Sequence, residues 1–505
     1  MDASRTEASG PDFSRGVPIA DAPGQGVLAG HVGGEPVLLA RRADGFWAVS
    51  ATCTHYGGPL TEGLAVGDTV RCPWHHACFD LRSGEALTAP AISPLDRWRV
   101  EIEGDLVFVR TREAAPLPAA PAQGDHPGRI VIVGGGAAGF AAAEMLRRRG
   151  YHGVLTLLSA DSEPPCDRPN LSKDYLAGTA PEDWIPLKPT AFYADHDIDL
   201  RLGFEVARLD LEAKQAIGVS GERIGYDALL LATGAEPIRL KTPGFDRENV
   251  HVLRSLADAR TIIAAADRAR RVVIVGASFI GLEAAASLRT RGLEVHVVAP
   301  EAMPLERIMG PDLGAFVRSL HESRGVRFHL GTTAVSFDGE AVTLADGARL
   351  DADFVVLGVG VRPRLQLAVD AGLAVDGGVI VDRGMRASHP GIYAAGDIAC
   401  YPGPTADEGL RIEHWVVAER QGQVAALNML GETRELTDAP FFWSQHYDQA
   451  IRYVGHARAW DAVRIDGSIP QADATVRFEA ADRLLAAATL GRDLESLRIG
   501  EELRG

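Results

Sequence analysis

Two cysteines and two histidines stand in two short segments of the chain. Cys53 and His55 are separated by one residue, Cys72 and His75 by two, and sixteen residues lie between His55 and Cys72. In a two-iron cluster with mixed ligands, two thiolates hold one iron and two imidazoles hold the other. The residue types and their mirrored spacing therefore predict a [2Fe-2S] cluster bound by these four side chains.

A zinc ion is the alternative occupant of such a ligand set. Zinc-finger spacing places a cysteine pair before a histidine pair, whereas each segment here carries one ligand of each kind. The iron–sulfur cluster is therefore the preferred interpretation. We expect Gly57 and Gly58 to let the backbone pass close to the cluster. We expect Cys78 to be a small buried residue and not a fifth ligand.

Residues 10–112 resemble the Rieske ferredoxin domain. Short alternating apolar and polar segments between residues 17 and 110 predict that this part is mostly β. Two departures from the resemblance stand beside the ligands. His76 occupies a position that usually carries glycine, and if that position requires a positive φ, histidine there costs about 1–3 kcal/mol. Tyr56 and Trp74 stand where the respiratory-chain relatives form a loop disulfide, so that bridge is absent.

Two glycine-rich turns follow residue 128. Each comes after an apolar, strand-like segment and before an alanine-rich, helix-like segment, which is the pattern of a dinucleotide-binding unit. Such a turn holds a pyrophosphate at the helix N-terminus. The sequence therefore predicts two bound dinucleotides. The residues expected at the pyrophosphates are Gly134, Gly136, Ala138 and Gly139 in the first turn and Gly276 and Gly281 in the second.

Residues near the turns indicate which nucleotides bind. Glu301 lies twenty residues after Gly281, the distance expected for an acid that accepts a hydrogen bond from a ribose 2′-hydroxyl. Because an acid repels a 2′-phosphate, the sequence favours NADH over NADPH; a solvent-exposed loop acid is the alternative. Ser278 replaces the middle glycine of the second turn and is expected to restrict the phosphate slightly. In the first unit, the acid expected to bind the ribose of the dinucleotide does not stand at its usual position, and Asp161 and Glu163 are the candidates for this role.

Composition limits the class of protein. The chain has 505 residues, 46% of them apolar, a net charge of −17 and five cysteines. This length exceeds one hydrophobic core, so several domains are expected. We expect no membrane span, because no run of eighteen apolar residues occurs, and the acidic balance disfavours nucleic acid and anionic membranes as partners. Few cysteines and no apolar amino-terminal segment favour the cytoplasm.

An alanine- and proline-rich stretch separates the two parts of the chain. Residues 113–127 predict a semi-rigid linker that spans about 45 Å. Such a tether holds the cluster near the second part at roughly millimolar effective concentration. The sequence contains no Cys-x-x-Cys or Cys-x4-Cys pair, which excludes disulfide-reductase chemistry near the first helix. Besides the predicted dinucleotides, the predicted cluster is then the one electron acceptor that the sequence provides.

Residues 128–505 resemble the flavoprotein ferredoxin reductase family of bacterial oxygenase systems. The whole chain resembles apoptosis-inducing-factor-like proteins with an amino-terminal Rieske domain. Besides the two turns, the resemblance rests on segments 226–234, 358–363 and 391–397. It implies a small all-β domain followed by an α/β reductase that binds two dinucleotides. The implied domains are an FAD-binding domain at 128–243 and 363–438, an NAD-binding domain at 244–362 and a C-terminal α/β cap at 439–505.

The same resemblance implies roles for particular residues. It pairs Lys173 with Glu283 beside the reactive nitrogen of the flavin, as a catalytic pair; a solvated surface ion pair is the alternative. Asp397 is expected to accept hydrogen bonds from the ribityl or pyrophosphate region of FAD. The other residues expected at the cofactors are Arg168, Thr233, Gly234, Gly360 and Trp415.

The implied activity is that of an NADH-dependent FAD oxidoreductase. NADH gives two electrons as a hydride and a cluster takes one, so a flavin belongs between them. We expect the cluster to pass electrons to an oxygenase, a cytochrome P450 or a ferredoxin, and the chain to be a monomer or homodimer. Two alternatives stay open: an NADH-sensing flavoprotein of the apoptosis-inducing-factor type, and the reductase component of a nitrite reductase system. The isolated Cys166 and Cys400 disfavour the latter.

Overall fold

The computed structural model describes residues 10–24, 26–113, 126–403 and 409–504. Most of the predicted linker, residues 114–125, lies outside these ranges. The first part is built from strands β1 Val17–Pro18, β2 Leu28–Val32, β3 Glu35–Arg42, β4 Gly45–Ser50, β5 Leu64–Val66, β6 Thr69–Arg71, β7 Cys78–Asp80, β8 Ala86–Thr88, β9 Arg97–Glu103 and β10 Leu106–Glu113. They form an antiparallel sheet in the order β1-β10-β9-β4-β3-β2 and a second, smaller one in the order β5-β6-β7-β8. The prediction of a mostly β first domain is confirmed.

The larger of these sheets is covered on both faces. Successive strand residues point to opposite sides, and in β3 the side chains of Val37 and Leu39 pack in one apolar cluster while Leu38 and Ala40 pack in another. All four are fully buried. The apolar cluster that includes Leu38 and Ala40 also contains both cysteines of the predicted ligand set. The ligand segments therefore rest on a packed core.

The next part of the chain alternates strands and helices. Its elements are β11 Arg129–Val133, α1 Ala137–Arg148, β12 Val154–Leu158, α2 Asp174–Ala177, α3 Thr190–Asp195, β13 Ile198–Arg201, β14 Val206–Asp210, β15 Gln215–Gly218, β16 Arg223–Gly225, β17 Ala228–Leu231 and β18 Ala235–Pro237. Strands β14, β15 and β16 form a separate antiparallel sheet. Strand β11 and helix α1 flank the first glycine turn, as the sequence predicts.

A second alternating unit follows. It comprises β19 Val250–Val252, α4 Leu256–Ala266, β20 Arg271–Val275, α5 Phe279–Thr290, β21 Glu294–Ala299, α6 Glu306–Ser323, β22 Arg327–Leu330, β23 Ala334–Phe337, β24 Ala341–Leu344, β25 Arg349–Asp351, β26 Phe354–Leu357 and β27 Val361–Pro363. Its parallel sheet has the order β19-β26-β20-β21-β22. Helix α5 begins at the second glycine turn, and helix α6 is kinked at Gly310.

The chain then returns to the first unit. The elements are α7 Gln366–Asp370, β28 Val379–Ile380, β29 Ile392–Ala394, β30 Ala399–Pro402, β31 Gly409–Leu410 and α8 Trp415–Met429. Strand β29 completes a parallel sheet in the order β13-β12-β11-β17-β29. Helix α8 crosses α1 closely, since a Cβ on Gly422 would lie 2.1 Å from the carbonyl oxygen of Ala138. This strand membership supports the proposed split of one domain between 128–243 and 363–438.

The last part is an antiparallel sheet and a helix. Its elements are β32 Phe441–His446, β33 Gln449–Gly455, β34 Ala462–Ser468, β35 Asp473–Ala480, β36 Arg483–Leu490 and α9 Asp493–Glu502. The sheet has the order β32-β33-β36-β35-β34. Within the described ranges, no helix has the length and apolar character needed to cross a membrane.

Candidate functional site

The two predicted ligand segments form loops with the same hydrogen-bond pattern. In each, the cysteine N–H donates to the carbonyl five residues later, at 2.9 Å for Cys53 and 2.8 Å for Cys72. The cysteine carbonyl accepts from the N–H four residues later, at 3.0 and 3.1 Å. Gly57 and His76 occupy that fourth position, with φ of 77° and 60°. The position does require a positive φ, so His76 carries the expected backbone cost of about 1–3 kcal/mol.

The loops bring the four predicted ligands together as two like pairs. Both cysteines are buried, and a hydrogen bond with Cys72 and burial raise the pKa of the Cys53 thiol. The rings of His55 and His75 have centroids 5.0 Å apart, and burial lowers the pKa of His55 to about 3. In the described part of the chain, no three His, Cys, Asp or Glu side chains converge on one metal position. A pair of thiols and a pair of imidazoles fit the mixed ligand set of a [2Fe-2S] cluster.

A cleft of about 1350 Å³ opens where strands β11, β12, β17 and β29 end. Ligands of open α/β sheets bind in a crevice at this edge. The predicted residues that line the cleft are Gly134, Gly136, Ala138, Arg168, Lys173, Thr233, Gly234, Glu283, Gly360, Asp397 and Trp415. Four further residues expected at the cofactors, Gly139, Gly276, Gly281 and Glu301, are not part of this lining.

Gly139 and Gly281, which do not line the cleft, let helices α1 and α5 pack closely onto their glycine turns. A Cβ on Gly139 would lie 1.9 Å from the carbonyl oxygen of Gly134, and one on Gly281 would lie 2.3 Å from that of Gly276. Both contacts are too short for any side chain, which is the packing reason for the third glycine of such turns. Ser278 donates its hydroxyl hydrogen to a backbone carbonyl at 2.7 Å.

Lys173 and Glu283 form a buried ion pair in the cleft wall. The lysine Nζ lies 2.7 Å from Oε2 of the glutamate, and the two side chains are 11% and 3% exposed. Oε2 also accepts from Ser172 Oγ at 2.5 Å, and Oε1 accepts from Ser444 Oγ at 2.6 Å. Both carboxylate oxygens thus have fixed partners. This burial excludes the interpretation as a solvated surface pair.

The acids expected at the two riboses lie in different surroundings. Asp161 lines the cleft and pairs with Arg168 at 3.0 Å. Glu163 is not part of the lining. Glu301 follows β21 and lies 3.7 Å from Arg307, whose side chain is 83% exposed. Asp161 is therefore the better placed candidate at the first turn, and Glu301 carries only a weak surface ion pair.

Strand β32 lies between the predicted cluster and the cleft. On one face of the strand Phe441 stacks on His76 at 3.9 Å and Trp443 packs on His75 at 4.0 Å, centroid to centroid. Trp443 also lines the cleft, and the Lys173 Nζ lies 5.8 Å from the centroid of its ring. A predicted cluster ligand therefore contacts a side chain of the cleft wall.

Polar contacts hold the first domain against the rest of the chain. Arg420 is 5% exposed and donates to the carbonyl oxygens of Ala89 and His76 at 3.2 and 3.1 Å. Its guanidinium lies 3.7 Å from the Asp438 carboxylate. Further contacts join Ala89 to Gln423, Arg452 to Trp74, Arg71 to Glu501 and Lys188 to Ser93. Arginines of α8 and β33 thus hold carbonyls of the second ligand loop.

Comparison with known families identifies both parts. The family model described as pyridine nucleotide-disulphide oxidoreductase matches residues 128–422, more than half of the chain. The chain belongs to this family. A second model, described as the Rieske [2Fe-2S] domain, matches residues 17–99. As a pyridine nucleotide-disulphide oxidoreductase with a Rieske domain, the protein uses FAD, NAD(P)H and a [2Fe-2S] cluster, as the sequence predicts.

Relatives of this oxidoreductase support the same assignment. Apoptosis-inducing factor 3 of Homo sapiens is 32% identical over 94% of this chain and 81% of its own length. The ferredoxin–NAD(+) reductase component of the anthranilate 1,2-dioxygenase system of Burkholderia cepacia is 37% identical over 73% of this chain and 93% of its own. A crystal structure of the covalent putidaredoxin reductase–putidaredoxin complex is similar with a TM-score of 0.72 at 34% identity, covering 74% of this chain and 93% of that one.

The two unusual residues beside the ligands both contact the oxidoreductase. The Tyr56 hydroxyl donates to Oδ2 of Asp167, and burial raises the pKa of that carboxyl to about 6. The Nε2 of His76 lies 3.1 Å from Oγ of Ser496. Docking of the Rieske domain therefore explains two departures from the usual Rieske pattern.

Trp443 could not be identified as a functional residue from the sequence. An aromatic residue in an apolar, strand-like segment is ordinarily a core residue, and no spacing relates it to the ligand loops. Its role follows from the tertiary contact with His75.

Buried imidazoles make the stability of this oxidoreductase depend on pH. Burial lowers the pKa of His414 to about 4 and that of His446 to about 3. Below the unfolded value of about 6.5, the unfolded chain binds protons that the folded chain excludes, which costs about 1.4 kcal/mol per pH unit for each imidazole. We therefore expect the thermal midpoint to fall as the pH decreases from 6.5 to 4.

The variant His446→Gln isolates one of these groups. The raised pKa of Asp167 acts in the opposite sense between about pH 6 and 3.8, but it is present in both proteins. The difference in midpoint between parent and variant should therefore shrink steadily as the pH falls from 6.5. A difference that stays constant over this range would contradict the neutral, buried state of His446.

Proposed function

We propose that the chain is an NADH-dependent flavin oxidoreductase that passes electrons singly to its own Rieske cluster and then to an external acceptor protein. The observation that carries this proposal is the contact between His75 and Trp443. It sets a predicted cluster ligand against the wall of the cleft in which the flavin is expected. The fused Rieske domain thus occupies the face of the reductase at which electrons leave.

The residues of the cleft fit the cofactors that the family uses. When bound, NADH supplies a hydride, FAD takes it and returns single electrons, and the cluster accepts one electron at a time. We assign the FAD pyrophosphate to the turn at Gly134 and Gly136, whose backbone opens to the cleft at the start of α1. Asp397 is 7% exposed and is oriented by Arg254 Nη2 at 2.6 Å, which fixes a carboxylate beside that turn. The nicotinamide nucleotide is assigned to the second turn, at the start of α5.

Lys173 and Glu283 are assigned as the catalytic pair. The lysine donates to the glutamate and also to the carbonyl oxygen of Pro169 at 3.1 Å, so its position is fixed before any cofactor binds. Because the glutamate balances the ammonium charge, the pair places hydrogen-bond donors in the cleft without an unpaired buried charge. This fixed donor orients and stabilises a reacting nitrogen at that end of the cleft.

The position of the docked Rieske domain supports a proposal for where the acceptor binds. His55 and His75 lie between their own domain and Trp443, so the docked form offers its imidazole edge to the reductase. The reductase relatives are named for dioxygenase and putidaredoxin systems, and we propose an acceptor of that class: an oxygenase, a cytochrome P450 or a ferredoxin. It binds another face of the docked chain. We further propose a cytoplasmic monomer or homodimer.

Steady-state reduction of a one-electron acceptor tests the proposal. Purified protein with FAD and cluster is mixed with NADH and either cytochrome c or ferricyanide. Turnover well above that of free FAD at the same concentration is expected. Turnover at the free-flavin level would favour the second candidate, an NADH-sensing role, which the likeness to apoptosis-inducing factor 3 supports.

Glu301 is expected to set the preference for NADH. Replacement by glutamine removes the negative charge that a 2′-phosphate would meet. Like-charge contact costs several kcal/mol and about 1.4 kcal/mol corresponds to tenfold, so the ratio of kcat/KM for NADPH over NADH should rise by about tenfold or more. The exposed acid Asp312 on α6 provides the control Asp312→Asn. An unchanged ratio in Glu301→Gln would show that Glu301 is a solvent-exposed loop acid.

A further inference from the structure

A chain of hydrogen bonds leads from the catalytic pair into the protein, away from the Rieske domain. Ser444 Oγ donates to Oε1 of Glu283 at 2.6 Å and lies 3.2 Å from Nε2 of His446. The Nδ1 of His446 lies 3.1 Å from Nε2 of His321. The chain thus runs from helix α5 through strand β32 to the last turns of helix α6.

All members of this chain are buried. Ser444, His446 and His321 are fully buried, and Glu283 is buried. Glu283 already accepts hydrogen bonds from Lys173 and Ser172. The hydrogen bonds of the Glu283 carboxylate are therefore satisfied without His446 and His321, so these two buried imidazoles require another explanation.

The outer end of the chain has unsatisfied polar atoms. Within the described residues, Nδ1 of His321 and the hydroxyl of Tyr447 are buried and have no hydrogen-bond partner. The two rings lie 5.2 Å apart, and the Arg324 guanidinium, from a half-exposed side chain, covers the Tyr447 ring at 5.1 Å. A buried polar atom without a partner costs about 1–3 kcal/mol, so its presence requires an explanation.

We propose that Ser444, His446 and His321 form a proton relay between the catalytic pair and the outer end of helix α6. This inference rests on the proposed function. Oxidation of NADH by single-electron acceptors follows NADH → NAD⁺ + H⁺ + 2 e⁻. The electrons leave on the side of β32 that faces the Rieske domain. The proton leaves through the opposite side of the same strand.

Neutral imidazoles suit this task. A neutral ring accepts a proton on one nitrogen and releases another from its second nitrogen, so no net charge stays in the protein. Burial keeps both rings neutral, since it lowers the pKa of His446 to about 3 and that of His321 well below its usual range. The Ser444 hydroxyl both accepts and donates, and it links the imidazoles to the Glu283 carboxylate.

The variant His446→Gln separates conduction from packing. Glutamine keeps a donor and an acceptor but cannot transfer a proton through its side chain. In anaerobic stopped-flow experiments, flavin bleaching by NADH should keep its parent rate. The proton is released only when the reduced flavin gives up its electrons, so the NADH-reduced protein is then mixed with ferricyanide as the one-electron acceptor. Proton release in this second step, followed with a pH-indicator dye in weak buffer, should be slower than in the parent by on the order of 10²-fold. In His321→Ala, added imidazole should restore the rate of proton release. A purely structural role of His321 does not predict this rescue.

A second hydrogen-bonded imidazole pair gives the matched control. His296 and His329 lie 2.9 Å apart on neighbouring strands β21 and β22, with no link to Glu283. His329→Gln should leave proton release unchanged. If His446→Gln releases protons as fast as the parent, the relay is overturned while the proposed function stands. If the parent itself shows no flavin bleaching by NADH, the proposed function fails instead.

Discussion

A Cys72→Ala variant should lose the Rieske cluster and, with it, NADH-driven reduction of an external one-electron acceptor protein, while NADH still bleaches its flavin. In the proposed ligand set the two cysteines hold the same iron, so loss of one thiolate would leave that iron with half of its protein ligands. Loss of an outer hydrogen-bond partner already costs a metal site about 10–100-fold, and loss of a ligand should cost more than that. Iron content, the reduced-state EPR signal and flavin bleaching are measured on the same preparation.

Cys78 provides the control for this experiment. It is buried in the same domain, and burial raises the pKa of its thiol, but it is outside the predicted ligand set. Cys78→Ala should keep the cluster and the electron transfer to the acceptor. If Cys78→Ala loses the cluster and Cys72→Ala keeps it, the ligand assignment is wrong.

The second large effect is expected at the docking contact. Arg420→Gln removes a buried guanidinium that faces Asp438 and holds two carbonyls of the Rieske domain. Breaking a buried pair by removing one partner costs about 3–5 kcal/mol. If this loss falls on docking, the equilibrium constant for docking decreases by about 10²–10³-fold or more. Cluster reduction after NADH mixing should slow accordingly, while flavin bleaching stays at the parent rate.

An exposed arginine controls for loss of charge. Arg458 donates to the carbonyl oxygen of Gly409 at 2.8 Å and lies away from the Rieske contacts. Arg458→Gln should leave the rate of cluster reduction unchanged. If Arg420→Gln folds with full FAD and cluster content and reduces its cluster at the parent rate, docking through this contact does not support electron transfer.

The residues that could be predicted from the sequence are those whose chemistry depends on neighbours in the chain. The ligand loops are two such cases, because each carries a thiolate and an imidazole a few residues apart. The first glycine turn is another, since the close approach of Gly139 to Gly134 is local. The strain at His76 also follows from the loop itself, which repeats the backbone of the loop at Gly57.

The residues that could not be predicted act across domains. Trp443, Arg420 and His446 carry no motif, and each has a partner in another domain that lies far away in the sequence. Strand β32 shows the reason: alternation indicates that Trp443 and Ser444 point to opposite faces, but the sequence does not say what covers each face. Only the packed structure places the predicted ligand His75 on one side and Glu283 on the other.

The most direct test of the account is a single anaerobic turnover of the intact chain with one equivalent of NADH, frozen at intervals for EPR and followed optically. We predict that the flavin bleaches first and that the reduced Rieske signal then appears within the same turnover, at a rate independent of protein concentration. A flavin that bleaches while the cluster stays oxidised at every interval would contradict electron transfer through the docked face.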